Sequence, residues 1–115
     1  MFDFQNLEVY KKSNEFYLDC KELIIEKIGD ENIKQQLGRA SLSIPLNIAE
    51  GCAKFSSAYR KNFFIISRAS VYECVAILEI LMRTKVISKE KYESMEQKAA
   101  EISKILFVMI RNLMK

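Results

Sequence analysis

Histidine is absent from the 115 residues, which removes the commonest general base and the commonest metal ligand together. Without it the Glu-x-x-His pairs of a di-iron bundle cannot be built, and a cysteine nucleophile lacks its usual base. Proline occurs once and glycine three times, too few for a hairpin-rich β fold and suited to long uninterrupted elements. Gly29, Gly38 and Gly51 stand far apart, so no phosphate-cradling loop is expected. No apolar run approaches the roughly 20 residues that a membrane span needs. Met1-Phe2-Asp3-Phe4-Gln5 lacks a basic leader ahead of an apolar block, the mark of a signal peptide. The three cysteines, Cys20, Cys52 and Cys74, are odd in number and show no C-x-x-C spacing. They are expected as buried free thiols in a reducing cytosol, not as a disulfide framework or a closed thiolate metal site. These absences predict a soluble, cytoplasmic, non-enzymatic protein with no metal, no cofactor and no membrane partner.

What remains is rich in apolar residues, 50% of the chain, and their spacing is helical. The length fits one domain over residues 1–115, with enough chain to bury roughly two-thirds of its unfolded surface. Helix 1 is expected from Leu7 to Ile28, with Val9, Ser13, Phe16, Cys20 and Leu23 alternating by fours and threes beside Tyr10, Tyr17 and Ile24. Gly29 is read as its left-handed stop and Asp30 as the next N-cap. Helix 2 is expected from Glu31 to Ala49 on a stripe of Ile33, Leu37, Ala40, Ile44 and Ile48. Pro45 lies inside it and removes one backbone hydrogen bond, at a cost of about 3 kcal/mol. The expectation there is a kink, with the Ser41 or Ser43 hydroxyl serving the freed carbonyl; two shorter helices meeting at Pro45 are the alternative.

Gly51 is read as the end of that segment, followed by a loop from Cys52 to Ser57. Ser56 or Ser57 caps helix 3, which runs to Lys85 with two adjacent stripes. One is Phe63, Ile66, Ser70, Cys74, Ile77 and Leu81; the other is Phe64, Val71, Val75, Leu78 and Met82. Ser88 caps helix 4, from Lys89 to Met114, whose Tyr92, Met95, Ala99, Ile102, Leu106, Met109 and Leu113 keep a three-four alternation. Four helices on short connections predict an antiparallel up-down-up-down four-helix bundle. The spare apolar residues of helices 3 and 4, Phe107, Ile105 and Ile110 among them, favour a homo-oligomer.

Charge is unevenly spread. Residues 1–33 carry four Lys against eight Asp/Glu, a balance of −4, whereas residues 34–68 carry six Lys/Arg against Glu50 alone, a balance of +5. Either the two neutralise each other across a helix pair or subunit contact, or the basic segment faces an acidic partner such as RNA. Lys54, Arg60, Lys61 and Arg68 fall in the loop and first turns of helix 3, with Tyr59 available for stacking. A cationic helix start opposes the macrodipole, a cost that a bound anion relieves.

The most distinctive stretch is Gln36 to Gly51, where polar residues interrupt the apolar face. Asn47 and Glu50 are read as satisfying groups freed by Pro45 or by the helix end, with Arg39 or Arg68 as the charge partner of Glu50. The functional alternative is a ligand or partner contact. The chain resembles a family of four-helix bundle proteins encoded in intervening sequences of bacterial 23S ribosomal RNA genes, related to the accessory protein of diversity-generating retroelements. The resemblance is carried by Leu7-Glu8-Val9-Tyr10, by Ser43-Ile44-Pro45-Leu46-Asn47-Ile48-Ala49-Glu50-Gly51, and by Phe63 through Ser70 with Glu73. Gly38 stands where a basic residue is common and Ala69 where a glycine is common. The resemblance implies Pro45, Asn47, Glu50, Gly51, Ser70 and Glu73 as a structural signature, and assembly into a ring-like homopentamer. For the retroelement relatives it implies binding to RNA and to a reverse transcriptase; the intervening-sequence members carry no settled activity. A nucleic-acid-handling protein is therefore an expected partner alongside RNA, and a protein-interaction scaffold without RNA is the alternative.

Overall fold

The computed structural model describes residues 1–114. Four α-helices carry the fold: α1 (Glu8–Glu26), α2 (Glu31–Ala53), α3 (Ser57–Arg83) and α4 (Lys89–Leu113), preceded by a 3-10 turn, Asp3–Asn6. No strand occurs among the described residues. At 1.5 Å per residue α3 is about 40 Å long and runs nearly the whole 43 Å axis of the molecule. Helix α1 packs on α2 and α4, α2 on α3, and α3 on α4, so the helices form a closed circuit of neighbours, a four-helix bundle. No helix is long and apolar enough to cross a membrane among the described residues.

The caps follow the sequence closely. Asp30 accepts from the Ile33 amide at 3.0 Å, Ser88 from Lys91 at 3.0 Å, and Ser56, rather than Ser57, from Tyr59 at 3.4 Å. Each satisfies one of the four orphan donors of a helix start. The glycine stops are different. No glycine has positive φ; α1 ends at Lys27, whose amide and that of Ile28 both return to the Leu23 carbonyl. Ile28 is buried, so apolar burial turns the chain where a left-handed Gly29 was expected. Gly51 lies inside α2, which continues to Ala53. A Cβ there would sit 2.6 Å from Phe64 Cε1 and 3.2 Å from Phe63 Cβ. This glycine exists for helix approach, not for helix termination.

The one left-handed residue among those described is Lys85, φ 64°. It closes α3 in a Schellman motif: the Val86 amide donates to Leu81 O at 2.8 Å and the Lys85 amide to Met82 O at 3.0 Å. A side chain in this conformation is strained. Lys85→Gly is expected to raise stability by about 0.5–1 kcal/mol, seen as a higher urea midpoint at unchanged slope.

The core stripe of α1 (Val9, Ser13, Phe16, Cys20, Leu23) is buried as its spacing predicts; of the α4 stripe Met95, Ala99, Ile102 and Leu106 are buried, while Tyr92, Met109 and Leu113 are half-buried against the core. On α3 neither expected stripe is the core by itself. Phe64, Ser67, Val71, Cys74, Leu78 and Leu81 face inward with Ser70 beside them, while Ile66 is exposed. Ser67 belongs to this seam because its hydroxyl donates to Ile44 O of α2 at 2.8 Å.

Helix α2 passes through Pro45 as one element, which excludes two helices meeting there. Neither serine serves the freed carbonyl as expected. The Ser41 hydroxyl reaches one turn back, to Leu37 O at 2.7 Å, the direction in which a helical serine bonds its own helix. Instead Asn47 Nδ2 donates to Ser43 O at 2.8 Å and Ser67 to Ile44 O. Two side chains therefore support the carbonyls of the turn that contains the proline.

Cys20 and Cys74 are buried free thiols, whereas Cys52 is only half-buried. The Cys20 thiol is pushed far up by its hydrogen bond with Cys74 and by burial, so it stays protonated and behaves as a small apolar group.

Candidate nucleic-acid interface

The α2–α3 connection is three residues long, Lys54-Phe55-Ser56, and is held from both sides. The Lys54 amide returns to Gly51 O at 3.2 Å. From α3, the Arg60 guanidinium donates to Cys52 O at 3.5 Å and to Lys54 O at 3.4 Å. A cation on the last carbonyls of α2 complements that helix's dipole, so Arg60 has a structural task as well as a charge. Lys54 Nζ lies 5.2 Å from the centroid of the Phe63 ring, a cation–π distance. Tyr59 is 64% exposed and, four residues before Phe63, shares its side of α3. Lys61 is half-buried.

Arg68 does not belong with this group. Eight residues beyond Arg60, about 12 Å along the helix, its Nε donates to Ser103 O of α4 at 3.2 Å. Its guanidinium stacks on Tyr72 and Phe107 at 5.1 and 5.4 Å. The side chain therefore ties α3 to α4. It stands at a cavity of about 690 Å³ between these helices, walled by Val71, Val75, Ala99, Ala100 and Phe107.

One residue that the sequence reading passed over is Phe55, 104% exposed. It sits between Lys54 and Ser56 without helical periodicity, and only its tip position signals its exposure. The acidic groups of this region, Asp3 and Glu50, line a separate shallow cavity with Phe2, Phe4 and Cys52.

The charge partners are redistributed relative to expectation. Arg39 pairs with Glu73 at 2.7 Å and Arg68 faces α4, so neither serves Glu50, which has no ion pair within 4 Å among the described residues. Glu50 lies eleven residues, about 16 Å, beyond Arg39 along α2, out of reach. Within one chain the acids of α1 do not pair with the basic segment either. Asp19 pairs with Lys98 at 2.7 Å, and across the same seam Lys12 pairs with Glu101 at 3.0 Å. These carboxylates raise both lysines above their ordinary value, chiefly by hydrogen bonding. Among the described residues only Lys34–Glu31, local to α2, joins the acidic and basic segments. Lys54, Arg60, Lys61 and Arg68 have no carboxylate within 4 Å among the described residues.

Of the signature residues, Asn47, Ser70 and Glu73 meet near Pro45, whereas Glu50 lines the cavity with Asp3 and Gly51 lies against Phe64. Asn47 Nδ2 also reaches Ser43 Oγ at 2.9 Å, and Ser43 Oγ lies 2.8 Å from Ser70 Oγ, which donates to Ile66 O. With Arg39–Glu73 these contacts form a polar seam between α2 and α3, close to the turn containing Pro45. No buried side-chain polar atom among the described residues lacks a partner, so the seam is satisfied.

On α4, Tyr92 donates to Glu96 at 2.9 Å. Burial and this carboxylate push its phenol from 10.0 up to about 12. The folded state then holds a proton that the unfolded state releases. The stabilisation is complete below pH 10.0 and lost as pH rises to about 12. Tyr92→Phe is expected to remove a phenolate step near pH 12 from an ultraviolet titration.

Fold and site together define a helical bundle with a cationic, aromatic-bearing tip. The model of the 23S rRNA-intervening sequence protein family matches residues 5–108, and the chain belongs to that family. A solved protein of unknown function from the S23 ribosomal protein family of Bacteroides thetaiotaomicron is similar at 31% identity. The match covers 89% of this chain and 97% of that one, with a TM-score of 0.82. No curated protein gives a match.

Proposed function

We propose that this chain is a non-enzymatic, cytoplasmic, self-assembling bundle of one domain that binds structured RNA through the α2–α3 tip. The observation that carries this reading is the set of unpaired cations, Lys54, Arg60 and Lys61, gathered at one connection beside Tyr59. No acidic residue occupies the first turn of α3, and among the described residues no carboxylate pairs with these cations within 4 Å, so no side chain of that turn offsets the positive end of the helix dipole. Arg68 is assigned to the α3–α4 contact. The helices alternate in direction and α2 bends at Pro45; descending partner numbers support the alternation, Lys12–Glu101 then Asp19–Lys98, and Arg39–Glu73 then Ser43–Ser70.

Self-assembly is supported by apolar surface on all four helices: Leu18 and Ile25, Leu42 and Leu46, Ile65 and Ile80, Phe107 and Val108. The homopentamer is the assembly implied by the family resemblance. A ring repeats the tip, so weak patches act together on one RNA. The test is titration of a labelled structured RNA at two salt concentrations. Binding that weakens steeply with salt is expected, and no binding at low salt sinks the reading.

The second reading, a protein scaffold without RNA, is favoured by the outward Leu18 and Ile25 on an acidic α1 and the apolar α3–α4 cavity. There the basic segment meets α1 of a neighbouring copy, and Lys61→Glu breaks the oligomer in sedimentation. In the RNA reading that variant leaves the oligomer intact.

A further inference from the structure

We infer that the α2–α3 tip is a stacking platform for unpaired RNA bases, with Phe55 and Tyr59 as the aromatic faces and Lys54 and Lys61 taking the flanking phosphates. This rests on the RNA reading above and narrows it to single-stranded or looped segments.

Phe55 carries the inference. Burying a phenylalanine contributes about 1.5–3 kcal/mol to folding, and at 104% exposure the fold takes none of it. Scattered exposed apolar residues are ordinary; the surroundings of this one are not. The backbone beneath it is anchored by the Lys54 amide on Gly51 O, the Ser56 cap and the Arg60 guanidinium. The ring is thus presented from a held three-residue connection, and little ordering remains to be done on binding. Tyr59, 64% exposed, lies just inside α3, and Lys54 rests over the Phe63 ring.

Aromatic faces flanked by cations match a nucleic-acid strand, in which π faces and phosphates alternate. A duplex keeps its base faces stacked on each other and offers only phosphates and grooves, whereas loops, bulges and single strands expose them. A membrane surface also attracts aromatic and basic groups. The rest of the tip, Ser56, Ser57, Ala58 and Asn62, supplies no aliphatic face to bury among acyl chains.

The test uses the full chain and two RNAs with equal numbers of phosphates, a hairpin with an unpaired loop and a blunt duplex. A 2-aminopurine stands in the hairpin loop. The expected result is tighter binding of the hairpin, by about tenfold, with quenching of the 2-aminopurine. Phe55→Ala with Tyr59→Ala should weaken hairpin binding by roughly 5- to 100-fold, the range that base–aromatic stacking supports. Duplex binding and the circular-dichroism melt should not change, and Phe55→Trp should retain the hairpin preference. Equal binding of both RNAs, unaffected by the alanine variant, overturns the stacking inference and leaves the RNA reading standing. Binding of neither RNA at low salt overturns both. So does binding confined to vesicles containing anionic lipid, which would assign the tip to a membrane surface.

Discussion

Phe64→Ala is expected to lower folding stability by about 3–5 kcal/mol and the thermal midpoint by roughly 12–20 °C. The ring is 1% exposed and lies where α3 crosses the end of α2, directly against Gly51. Truncation leaves a cavity that two long helices cannot close without shifting. A loss of this size is a large share of the roughly 5–15 kcal/mol that holds a typical domain. The same contact makes a reciprocal prediction. Gly51→Ala gains about 1 kcal/mol of helix propensity but places a methyl 2.6 Å from Phe64 Cε1. The overpacking costs about 1–3 kcal/mol, so net destabilisation is expected. Phe64→Leu should relieve it, so that the double variant is less destabilised than the sum of the singles. Gly38→Ala on the same helix meets only Ile24 Cδ1, at 3.7 Å, and is expected to stabilise. Chemical denaturation of the set checks every sign, and a stabilised Gly51→Ala would show that α3 can move away.

The double variant Lys54→Glu, Lys61→Glu should reduce RNA affinity by about 100-fold or more at low salt. It should also flatten the dependence of log affinity on log salt by roughly 1.5–2 per bound protomer, since two phosphate contacts are lost from each. Stability should change by less than about 1 kcal/mol, mostly from the cation–π contact of Lys54 with Phe63. Arg68→Glu is the contrast. It places a carboxylate against the Ser103 carbonyl and the faces of Tyr72 and Phe107, so it should destabilise the fold while leaving the salt slope intact. An unchanged slope in the Lys54, Lys61 variant would remove the tip from the interface.

The helical class, the four segments, the caps at Asp30 and Ser88 and the inner faces of α1 and α4 were determined by the sequence alone. Each is local: a cap needs one side chain and the amide three residues on, and an amphipathic stripe declares itself by its spacing. Helix α3 was not legible in this way. It carries apolar residues on adjacent sides, and the true seam runs through Ser67, which a hydrophobic pattern passes over. Only the Ile44 carbonyl of α2 makes that position an inner one. Gly51 reads as a stop until Phe64 is seen against it, and Glu50 reads as paired until α2 carries it beyond Arg39. The basic segment was visible as composition. The packing of α3 on α4 took Arg68 out of it, and the short turn after α2 set Phe55 in solvent beside Lys54. Contacts within one helix follow from its own periodicity, whereas contacts between helices depend on which faces meet and how closely. Those depend on side-chain volumes and hydrogen bonds far apart in the chain, so tertiary structure decided them.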